Sequence, residues 1–481
     1  MRLVLDLVVN HTSDEHPWFE EARKSRHNPY YNYYHWWPAE KGEPPLRLSY
    51  FDEEGNAWTY NKPTDSYYLH YFSRKQPDLN WENPEVRQEI FDMMRFWFDK
   101  GIDGFRMDSI SLIAKDPSFP LIDSKKYPDI FSFYAKEPRL HLYLHEMNRQ
   151  VLSKYDCMSV GEGSAVMVDD VAKFVDPARE ELNMLYHFDA ARIRNTTLPD
   201  NPESGIDYSL IALKKMFTEW DKAVDKGWPS IYLGNHDQPR MVSRFGSDKD
   251  EFRALSAKML ITFLLTMRGT PYWFAGDEIG MRNIRFDHIE DYNDIDTINR
   301  YKKAKAEGKD PQAVLDEQKE TGRDNARTPF QWDRSPEAGF TAGTPWLKVN
   351  PDYTWINVAD EEKDPTSILN YFKKVVSFRK ENPSLIYGSY HLLDAENPQS
   401  YTFLRKTGAD TYLIMLNFSP KAAISTPGID MSNAHVLLDN YGDRSHMAPQ
   451  KDITLRPFEA IVFQLNHPVY ESFIDSLDLL E

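Results

Sequence analysis

Short apolar runs of strand length recur along the first part of the chain, and amphipathic helical patterns separate them. Strands alternating with helices are typical of βαβ units and a parallel sheet. Six such units in succession favour an α/β fold, a (β/α) barrel of the TIM type, over an open sheet. The predicted strands are Leu3–Val9, Gly104–Met107, Met158–Val160, Met184–Phe188, Ile231–Leu233 and Pro271–Phe274.

Two helices have clear signals in this region. Asn83 is a plausible N-cap, Pro84 stands in the first helical turn, and Gly101 marks the end, with apolar residues at helical spacing between them. Leu255–Met267 is apolar nearly throughout, which predicts a helix buried on all sides.

The βαβ pattern is interrupted once and ends before the C-terminus. Residues 12–80 are rich in Tyr, Trp, Pro and His and are too long for an ordinary βα loop, so they predict a small inserted domain over the barrel mouth. Residues 387–481 alternate like antiparallel strands with turns between them, which predicts a C-terminal β-sandwich. Residues 1–11 and 81–386 then form the barrel. The predicted sandwich strands are Ser389–Leu393, Tyr401–Arg405, Thr411–Asn417, His435–Leu438 and Ile453–Leu465.

Composition agrees with a large protein of several domains. The chain has 481 residues, 41% of them hydrophobic, which exceeds the size at which one core stops growing. A formal net charge of −18 argues against a nucleic-acid or anionic-membrane partner. One cysteine excludes a disulfide framework, and no apolar stretch is long enough to span a membrane. Asp6 interrupts the first apolar run, which is unlike a signal peptide, so we expect a cytoplasmic protein.

The strand at Gly104–Met107 carries the first candidate chemistry. Arg106 and Asp108 lie two residues apart, so strand geometry places both side chains on one face. A guanidinium so near keeps a carboxylate ionised. The pair is either a structural ion pair at a strand end or an oriented nucleophile.

Polar residues also follow other predicted strands. His11, Glu162, His236 and Asp237 stand at the same kind of position as Asp108, just after a strand. Barrel enzymes take their catalytic groups from the C-terminal ends of several strands. Each acid alone fits a cap or an ion pair. Three converging acids instead predict glycoside hydrolysis, which uses paired carboxyl groups. No cysteine or histidine metal cluster and no glycine-rich phosphate loop competes with this interpretation.

These segments resemble a known family. In chain order, four of them are similar to the signature regions of the α-amylase family of glycoside hydrolases: Asp6–Ser13, Gly104–Asp108, Val160–Glu162 and Asn235–Asp237. Three more resemble its branch of oligo-1,6-glucosidases, α-glucosidases and sucrose isomerases: Gln76–Asn80, Gly276–Met281 and Arg323–Trp332.

The resemblance implies roles for the three acids and their neighbours. Asp108 is then the nucleophile, Glu162 the general acid/base and Asp237 the stabiliser of the transition state, while Arg106 orients and ionises Asp108. His11 and His236 bind hydroxyls of the terminal glucose, and Arg323 closes that subsite, although each of these three also fits a structural role.

The chain departs from the family pattern at two places. The family's barrel begins about two strands earlier, so the resemblance implies a barrel that lacks its first two strands and, with them, the N-terminal metal-binding loop. We therefore expect no cofactor or metal. Ser109, after the nucleophile, is closer to the Thr or Ala that accompany α-1,4 linkages than to the Val of α-1,6 enzymes, whereas Gln76–Asn80 favours α-1,6, so the linkage stays open.

The sequence thus predicts a retaining, exo-acting α-glucosidase that hydrolyses terminal α-linked glucose from short α-glucosides, with a small oligosaccharide as its partner. The alternatives are a transglucosylase or sucrose isomerase on the same scaffold, and, from another class, a non-catalytic amylase-like binding protein or an inactive truncated protein. The oligomeric state is not predicted.

Overall fold

The structure, a computed structural model, describes residues 1–51, 55–123, 125–127, 130–192, 209–408, 410–445 and 451–465. In these ranges the strands are β1 (Val4–Val8), β2 (Trp36–Pro38), β3 (Trp58–Asn61), β4 (Ser66–Leu69), β5 (Gly104–Asp108), β6 (Met158–Glu162), β7 (Met184–Tyr186), β8 (Ser230–Ile231), β9 (Thr270–Pro271), β10 (Ser389–Leu392), β11 (Ser400–Thr407), β12 (Asp410–Asn417), β13 (Ala423–Ser425), β14 (Ala434–Asp439), β15 (Ile453–Leu455) and β16 (Ala460–Leu465).

The helices in the same ranges are α1 (Pro17–Ala22), α2 (Pro84–Asp99), α3 (Phe131–Tyr134), α4 (Arg139–Gln150), α5 (Ala172–Val175), α6 (Asp189–Arg192), α7 (Leu210–Ala223), α8 (Met241–Phe245), α9 (Arg253–Thr266), α10 (Ile295–Ala306), α11 (Pro311–Thr321), α12 (Val358–Glu361), α13 (Ile368–Glu381) and α14 (Ser384–Tyr387). None of these described helices is both long and apolar enough to cross a membrane.

The chain divides into two compact units. The N-terminal unit comprises Met1–Phe188 and Lys222–Pro229, and the C-terminal unit comprises Asp189–Asp221 and Ser230–Glu481. The division into three domains, with boundaries after residues 11, 80 and 386, stays a prediction.

A parallel sheet of four strands lies at the centre of the N-terminal unit, in the order β1-β5-β6-β7. These strands confirm the first four predicted from the apolar pattern. Val8 pairs with Asp108 across β1 and β5, and Met107 pairs with Gly161 across β5 and β6. Because the strands run parallel in this register, the residues that follow them come together at one edge of the sheet.

Helix α2 forms where its capping signals predict it. The Asn83 side chain accepts a hydrogen bond from the backbone of Glu85 at 2.9 Å, Pro84 occupies the first turn, and Gly101 beyond the end has a φ of 94°. Its apolar face is buried: Val86, Ile90, Phe91, Met94 and Phe98.

The aromatic segment 12–80 forms an antiparallel sheet of its own, in the order β2-β4-β3. Trp58 and Leu69 of this sheet pack in one hydrophobic cluster with Leu112 and Phe119, which follow β5 in the chain. The segment is therefore anchored next to the end of the strand that carries Asp108.

In the C-terminal unit the predicted strands 231–233 and 271–274 are shorter than expected. They form a parallel pair, β8 and β9, of two residues each. Pro271 has no N–H to continue the ladder, which limits β9. Helix α9 is buried nearly all round, as its apolar sequence predicts.

The C-terminal β region contains a five-stranded antiparallel sheet, β10-β11-β12-β16-β14, and a two-stranded sheet, β13-β15. The single run predicted at Ile453–Leu465 is wrong: it breaks into β15 and β16, because Phe458 has a φ of 50° and the chain turns there. Strand β13, three residues long, was not predicted, since so short a run gives little alternation. Residues 466–481 of the predicted sandwich lie outside the described residues.

Candidate active site

Arg106 stands at the centre of a carboxyl cluster in the N-terminal unit. Its side chain lies on the same face of β5 as Asp108, and its Nη1 contacts Asp108 Oδ1 at 2.6 Å. Its Nη2 contacts Glu162 Oε2 at 2.7 Å, and Nη1 also contacts Asp6 Oδ1 on β1 at 2.9 Å. Its Nε donates to the hydroxyl of Tyr186 on β7 at 2.8 Å. One guanidinium therefore ties together all four strands of the sheet.

Glu162 ends β6, and its side chain is only 7% exposed. Its Oε2 accepts the backbone N–H of Ser109 at 2.9 Å, and Ser109 itself is buried with a φ of 45°. Gly161 is required before it, since a Cβ there would lie within 2.9 Å of the side chains of Ile110 and Leu185.

The two carboxyl groups have opposite pKa shifts. Burial, and then the negative charge of Asp108, raises the pKa of Glu162 to about 8. Burial alone would also raise the pKa of Asp108, but the bonded Arg106 guanidinium outweighs it and holds that pKa below its usual value. At neutral pH the geometry therefore favours one ionised and one protonated carboxyl, with Glu162 hydrogen-bonded to Asp108.

His11 lies beside this pair and is 6% exposed. Burial lowers its pKa to about 4, although the charge of Asp108 acts in the other direction, so the imidazole is neutral near pH 7. The side-chain amides of Asn10 and Gln76 lie 3.2 Å from Nδ1 and 3.0 Å from Nε2.

The sequence analysis missed a buried ionic network behind His11. Lys115 is fully buried, lies 3.2 Å from Asp78 and donates to Asn10 Oδ1 at 2.6 Å. Asn10 in turn contacts Nδ1 of His11, so the network fixes the position of the imidazole ring. A charged residue next to an apolar run, such as Lys115 after Ile110–Ala114, is the sequence signal for a buried charge. The sequence does not name its partner, because Lys115 and Asp78 belong to different segments that only folding pairs.

A second cluster of predicted residues lies in the C-terminal unit, around Asp237. Its Oδ1 contacts Arg327 Nη2 at 2.9 Å and Arg323 Nη1 at 3.4 Å, and its Oδ2 lies 3.3 Å from Nε2 of His236. Arg323 also pairs with Asp294, whose side chain is 1% exposed. Arg323 thus contacts both a buried structural acid, Asp294, and the predicted site acid, Asp237. Arg327 and Asp294 are additions that the sequence analysis did not single out.

Glycine allows the turn that presents Asp237. A Cβ at Gly234 would lie 2.6 Å from Oδ2 of the buried Asp277, so the chain needs glycine at this position, three residues after the end of β8. The Asn235 side chain then accepts the backbone N–H of Asp237 at 2.8 Å, which fixes the turn.

The predicted site residues therefore fall into two groups. His11, Arg106, Asp108, Ser109 and Glu162 come together in the N-terminal unit, and His236, Asp237 and Arg323 come together in the C-terminal unit. No three His, Cys, Asp or Glu side chains among the described residues are arranged to hold a metal ion. The absence of a metal or cofactor stays a prediction.

An ionised aspartate beside a protonated glutamate, at the ends of neighbouring parallel strands, is an arrangement that glycoside hydrolases use. The family model for the catalytic domain of α-amylase matches residues 1–388. The chain belongs to the α-amylase family of glycoside hydrolases.

Similar proteins agree with this assignment. The chain is 49% identical to an oligo-1,6-glucosidase of Parageobacillus thermoglucosidasius, over 97% of this chain and 84% of the relative. It is 39% identical to a trehalose-6-phosphate hydrolase of Bacillus subtilis, over 97% of this chain and 83% of the relative. Among solved structures, an isomaltulose synthase from Klebsiella sp. LX3 is 38% identical, with a TM-score of 0.90 over 96% of this chain and 83% of that one. A MutB mutant in complex with the substrate sucrose has a TM-score of 0.91 at 38% identity, over 96% and 83%.

Proposed function

We propose that this protein is a retaining, exo-acting α-glucosidase that releases terminal α-linked glucose from short α-glucosides. The observation that carries the proposal is that one guanidinium, Arg106, contacts both Asp108 and Glu162 at the ends of neighbouring strands, while the pKa values of the two carboxyl groups are shifted in opposite directions. The direct test is release of glucose from isomaltose and from an aryl α-glucoside. Absence of glucose release from both substrates would overturn the proposal.

The chemistry then has two steps. In the first, an Asp108 oxygen bonds to the anomeric carbon while the bond from that carbon to the leaving oxygen breaks, and Glu162 gives its proton to the leaving oxygen. In the second, ionised Glu162 takes a proton from water, the water oxygen bonds to the anomeric carbon, and Asp108 leaves as a carboxylate. Esterification of Asp108 removes the charge that raises the pKa of Glu162, which lets it act as a base.

The remaining residues bind and orient. Arg106 orients and ionises Asp108. The family resemblance assigns binding of a sugar hydroxyl to neutral His11, and because its two ring nitrogens contact the side-chain amides of Asn10 and Gln76, the hydroxyl would replace one of these contacts.

The family resemblance assigns stabilisation of the developing positive charge to Asp237, hydroxyl binding to His236, and closure of that subsite to Arg323. We propose that these carboxyl and imidazole groups suffice without a metal or cofactor.

A transglucosylase or sucrose isomerase is the second candidate, because solved structures similar to this chain include an isomaltulose synthase and a sucrose complex. Product analysis at high sugar concentration separates the two: a hydrolase yields free glucose, whereas the alternatives yield new disaccharides. A non-catalytic binding protein would yield neither product.

Linkage preference rests on two conflicting features. Ser109, small and buried beside Glu162, favours α-1,4, while the segment Gln76–Asn80, whose Gln76 contacts His11, favours α-1,6. Two relatives, at 49% and 45% identity, are named oligo-1,6-glucosidase. Comparing kcat/KM for isomaltose, maltose, trehalose and sucrose decides the preference.

We also propose a cytoplasmic protein whose partner is a small oligosaccharide and which binds neither nucleic acid nor membrane. The net charge of −18 supports this by repelling polyanionic partners. A MutB mutant binds sucrose, which supports a ligand of that size.

Strand β1 lies at one edge of the parallel sheet. Among the described residues β1 pairs only with β5, and Val4 and Val8 are 36% and 45% exposed. A cavity of about 880 Å³ beside it is lined by apolar residues such as Met93 and the exposed Phe96 of α2. Parallel sheets are normally covered on both faces, and open edges promote aggregation. We propose that this sheet belongs to a barrel whose two preceding strands are absent from this sequence.

Adding those strands should stabilise the protein. We expect fusion of the segment that precedes the matched region in the Parageobacillus relative to raise the free energy of unfolding by about 2–4 kcal/mol, because it covers exposed apolar surface. Denaturant unfolding measures the change. The same segment with prolines at alternating strand positions is the control and should not stabilise. If the unfused chain already melts cooperatively with strong activity, and the fusion changes neither property, the proposal is wrong.

The pKa of Glu162 predicts the alkaline limit of activity. The general acid must hold a proton, so kcat/KM should fall as pH rises through about 8, the pKa of the buried carboxyl. The acid limit should lie below the usual aspartate range, because Asp108 must be ionised and its pKa is lowered. The pH profile of kcat/KM measures both limits, which belong to the coupled pair. An unchanged rate up to pH 10 would contradict the assignment.

A further inference from the structure

The guanidinium of Arg106, in the N-terminal unit, has an acceptor for each of its donors. It carries five N–H bonds, and five hydrogen bonds match them. Nη1 donates to Asp6 and Asp108, and Nη2 donates to Glu162. The other two bonds, one from Nε and one from Nη2, both go to the hydroxyl of Tyr186. Tyr186 therefore occupies as many donors as Asp108 and Glu162 together.

Tyr186 is itself fixed on strand β7. It stands opposite Glu162 in the register of β6 and β7, and its carbonyl accepts the N–H of Gly163 at 2.8 Å. Its ring meets the ring of Phe188 edge to face, with centroids 5.9 Å apart. The guanidinium carbon of Arg106 lies over the Tyr186 ring, 5.6 Å from its centroid. The hydroxyl is thus presented by a rigid strand and not by a loop.

The chemistry of this position favours a tyrosine. A phenol hydroxyl accepts two hydrogen bonds without bringing a negative charge at neutral pH. A carboxylate in its place would also hold Arg106, but it would disfavour ionisation of Asp108. A phenylalanine would leave two N–H bonds of a side chain that is only 18% exposed without these acceptors. Tyrosine holds the cation in place and leaves its charge available to the two carboxyl groups.

We propose that Tyr186 is a positioning residue of the active site, one that acts on Asp108 and Glu162 through Arg106. The inference rests on the proposed α-glucosidase function and adds a residue that its two reaction steps do not use. Tyr186 takes no part in bond formation or proton transfer. Its hydroxyl keeps the guanidinium within reach of both carboxyl groups at once.

Loss of this hydroxyl should move both limits of the pH profile in the same direction. Burial raises the pKa of Asp108 and of Glu162, and the charge of Arg106 opposes burial in both. In Tyr186→Phe the guanidinium is held less firmly, so both pKa values should rise. The acid limit and the alkaline limit of kcat/KM should then both lie at higher pH. The titratable and charged groups that face the pair and its guanidinium in this unit are Asp6 on β1, His11 after β1, Arg106 on β5 and Tyr186 on β7.

The test uses the whole chain and the variant Tyr186→Phe, which removes one oxygen atom and keeps the ring. We expect kcat/KM for an aryl α-glucoside to fall about tenfold, mainly through kcat, because the carboxyl pair is less well oriented. The pH profile of kcat/KM shows whether both limits have moved up. Thermal melting verifies that the variant folds.

Tyr143→Phe is the matched control. Tyr143 belongs to the same unit, its hydroxyl donates to Glu82, and the guanidinium carbon of Arg87 lies 5.2 Å from its ring centroid. The hydrogen bonds of Arg106 go to other groups. The same loss of a hydroxyl should therefore leave both pH limits unchanged and kcat/KM within about twofold.

A second measurement does not depend on activity. Infrared spectroscopy follows the protonated-carboxyl band of Glu162, identified by its loss in Glu162→Gln, as the pH rises. In Tyr186→Phe this band should disappear at a higher pH than in the unaltered protein.

Three results would overturn the inference: pH limits and an infrared titration that stay unchanged in Tyr186→Phe, limits that move in opposite directions, or the same shift in Tyr143→Phe. An unaltered protein that cleaves no α-glucoside would overturn the proposed function instead. The infrared titration then still decides whether Tyr186 acts on the carboxyl pair.

Discussion

Replacing Asp108 by Asn should reduce kcat for aryl α-glucosides and isomaltose by at least about 10⁴-fold. The amide oxygen can still accept the hydrogen bond that Arg106 Nη1 makes at 2.6 Å, so the local geometry should survive. An amide cannot, however, form the covalent bond to the anomeric carbon that the first step requires. Steady-state kinetics gives the loss, and circular dichroism with thermal melting verifies the fold.

Asp225→Asn is the control for this change. Asp225 belongs to the same unit and is exposed, so the identical chemical change there should leave kcat within about twofold. If Asp108→Asn keeps more than a few per cent of the activity of the unaltered protein, Asp108 is not the nucleophile and the proposed retaining mechanism is wrong.

Replacing Glu162 by Gln should have an effect that depends on the leaving group. For isomaltose, whose leaving oxygen needs a proton, we expect kcat/KM to fall by about 10²–10⁴-fold. For α-glucosyl fluoride, which leaves without strong acid assistance, formation of the glucosyl-enzyme should be nearly unaffected. Water attack then lacks its base, so the glucosyl-enzyme on Asp108 should accumulate. Intact-protein mass spectrometry detects it as the mass of one glucosyl group.

Two control variants accompany Glu162→Gln. The double variant Asp108→Asn, Glu162→Gln should show no glucosyl adduct, because the attachment point is lost. The exposed Glu43→Gln should behave like the unaltered protein. Equal slowing of isomaltose and the fluoride in Glu162→Gln, without an adduct, would show that Glu162 is not the acid.

The sequence predicted features that are local. Arg106 and Asp108 share a face because successive strand residues alternate, whatever surrounds them, and Asn83 caps α2 through a bond to a residue two positions away. The four strands of the N-terminal sheet were found for the same reason, since apolar runs bounded by turns need no long-range information.

Features that depend on distant partners were not predicted. Lys115 and Asp78 pair across segments that the sequence does not connect, and Asp294 reaches Arg323 only in the folded chain. The break between β15 and β16 was missed although Pro457, directly before Phe458 and its positive φ, is a signal against one continuous strand.

By itself the sequence determined which residue types stand at the strand ends, because the apolar runs and their order along the chain locate those ends. It therefore predicted which carboxyl and histidine side chains are candidates for the site. Only the tertiary structure decided how those groups behave. Glu162 retains its proton because burial and the charge of Asp108 act on it together, and Asp108 loses its proton because one guanidinium reaches it. Burial and through-space charge depend on neighbours from other strands, and these exist only after folding.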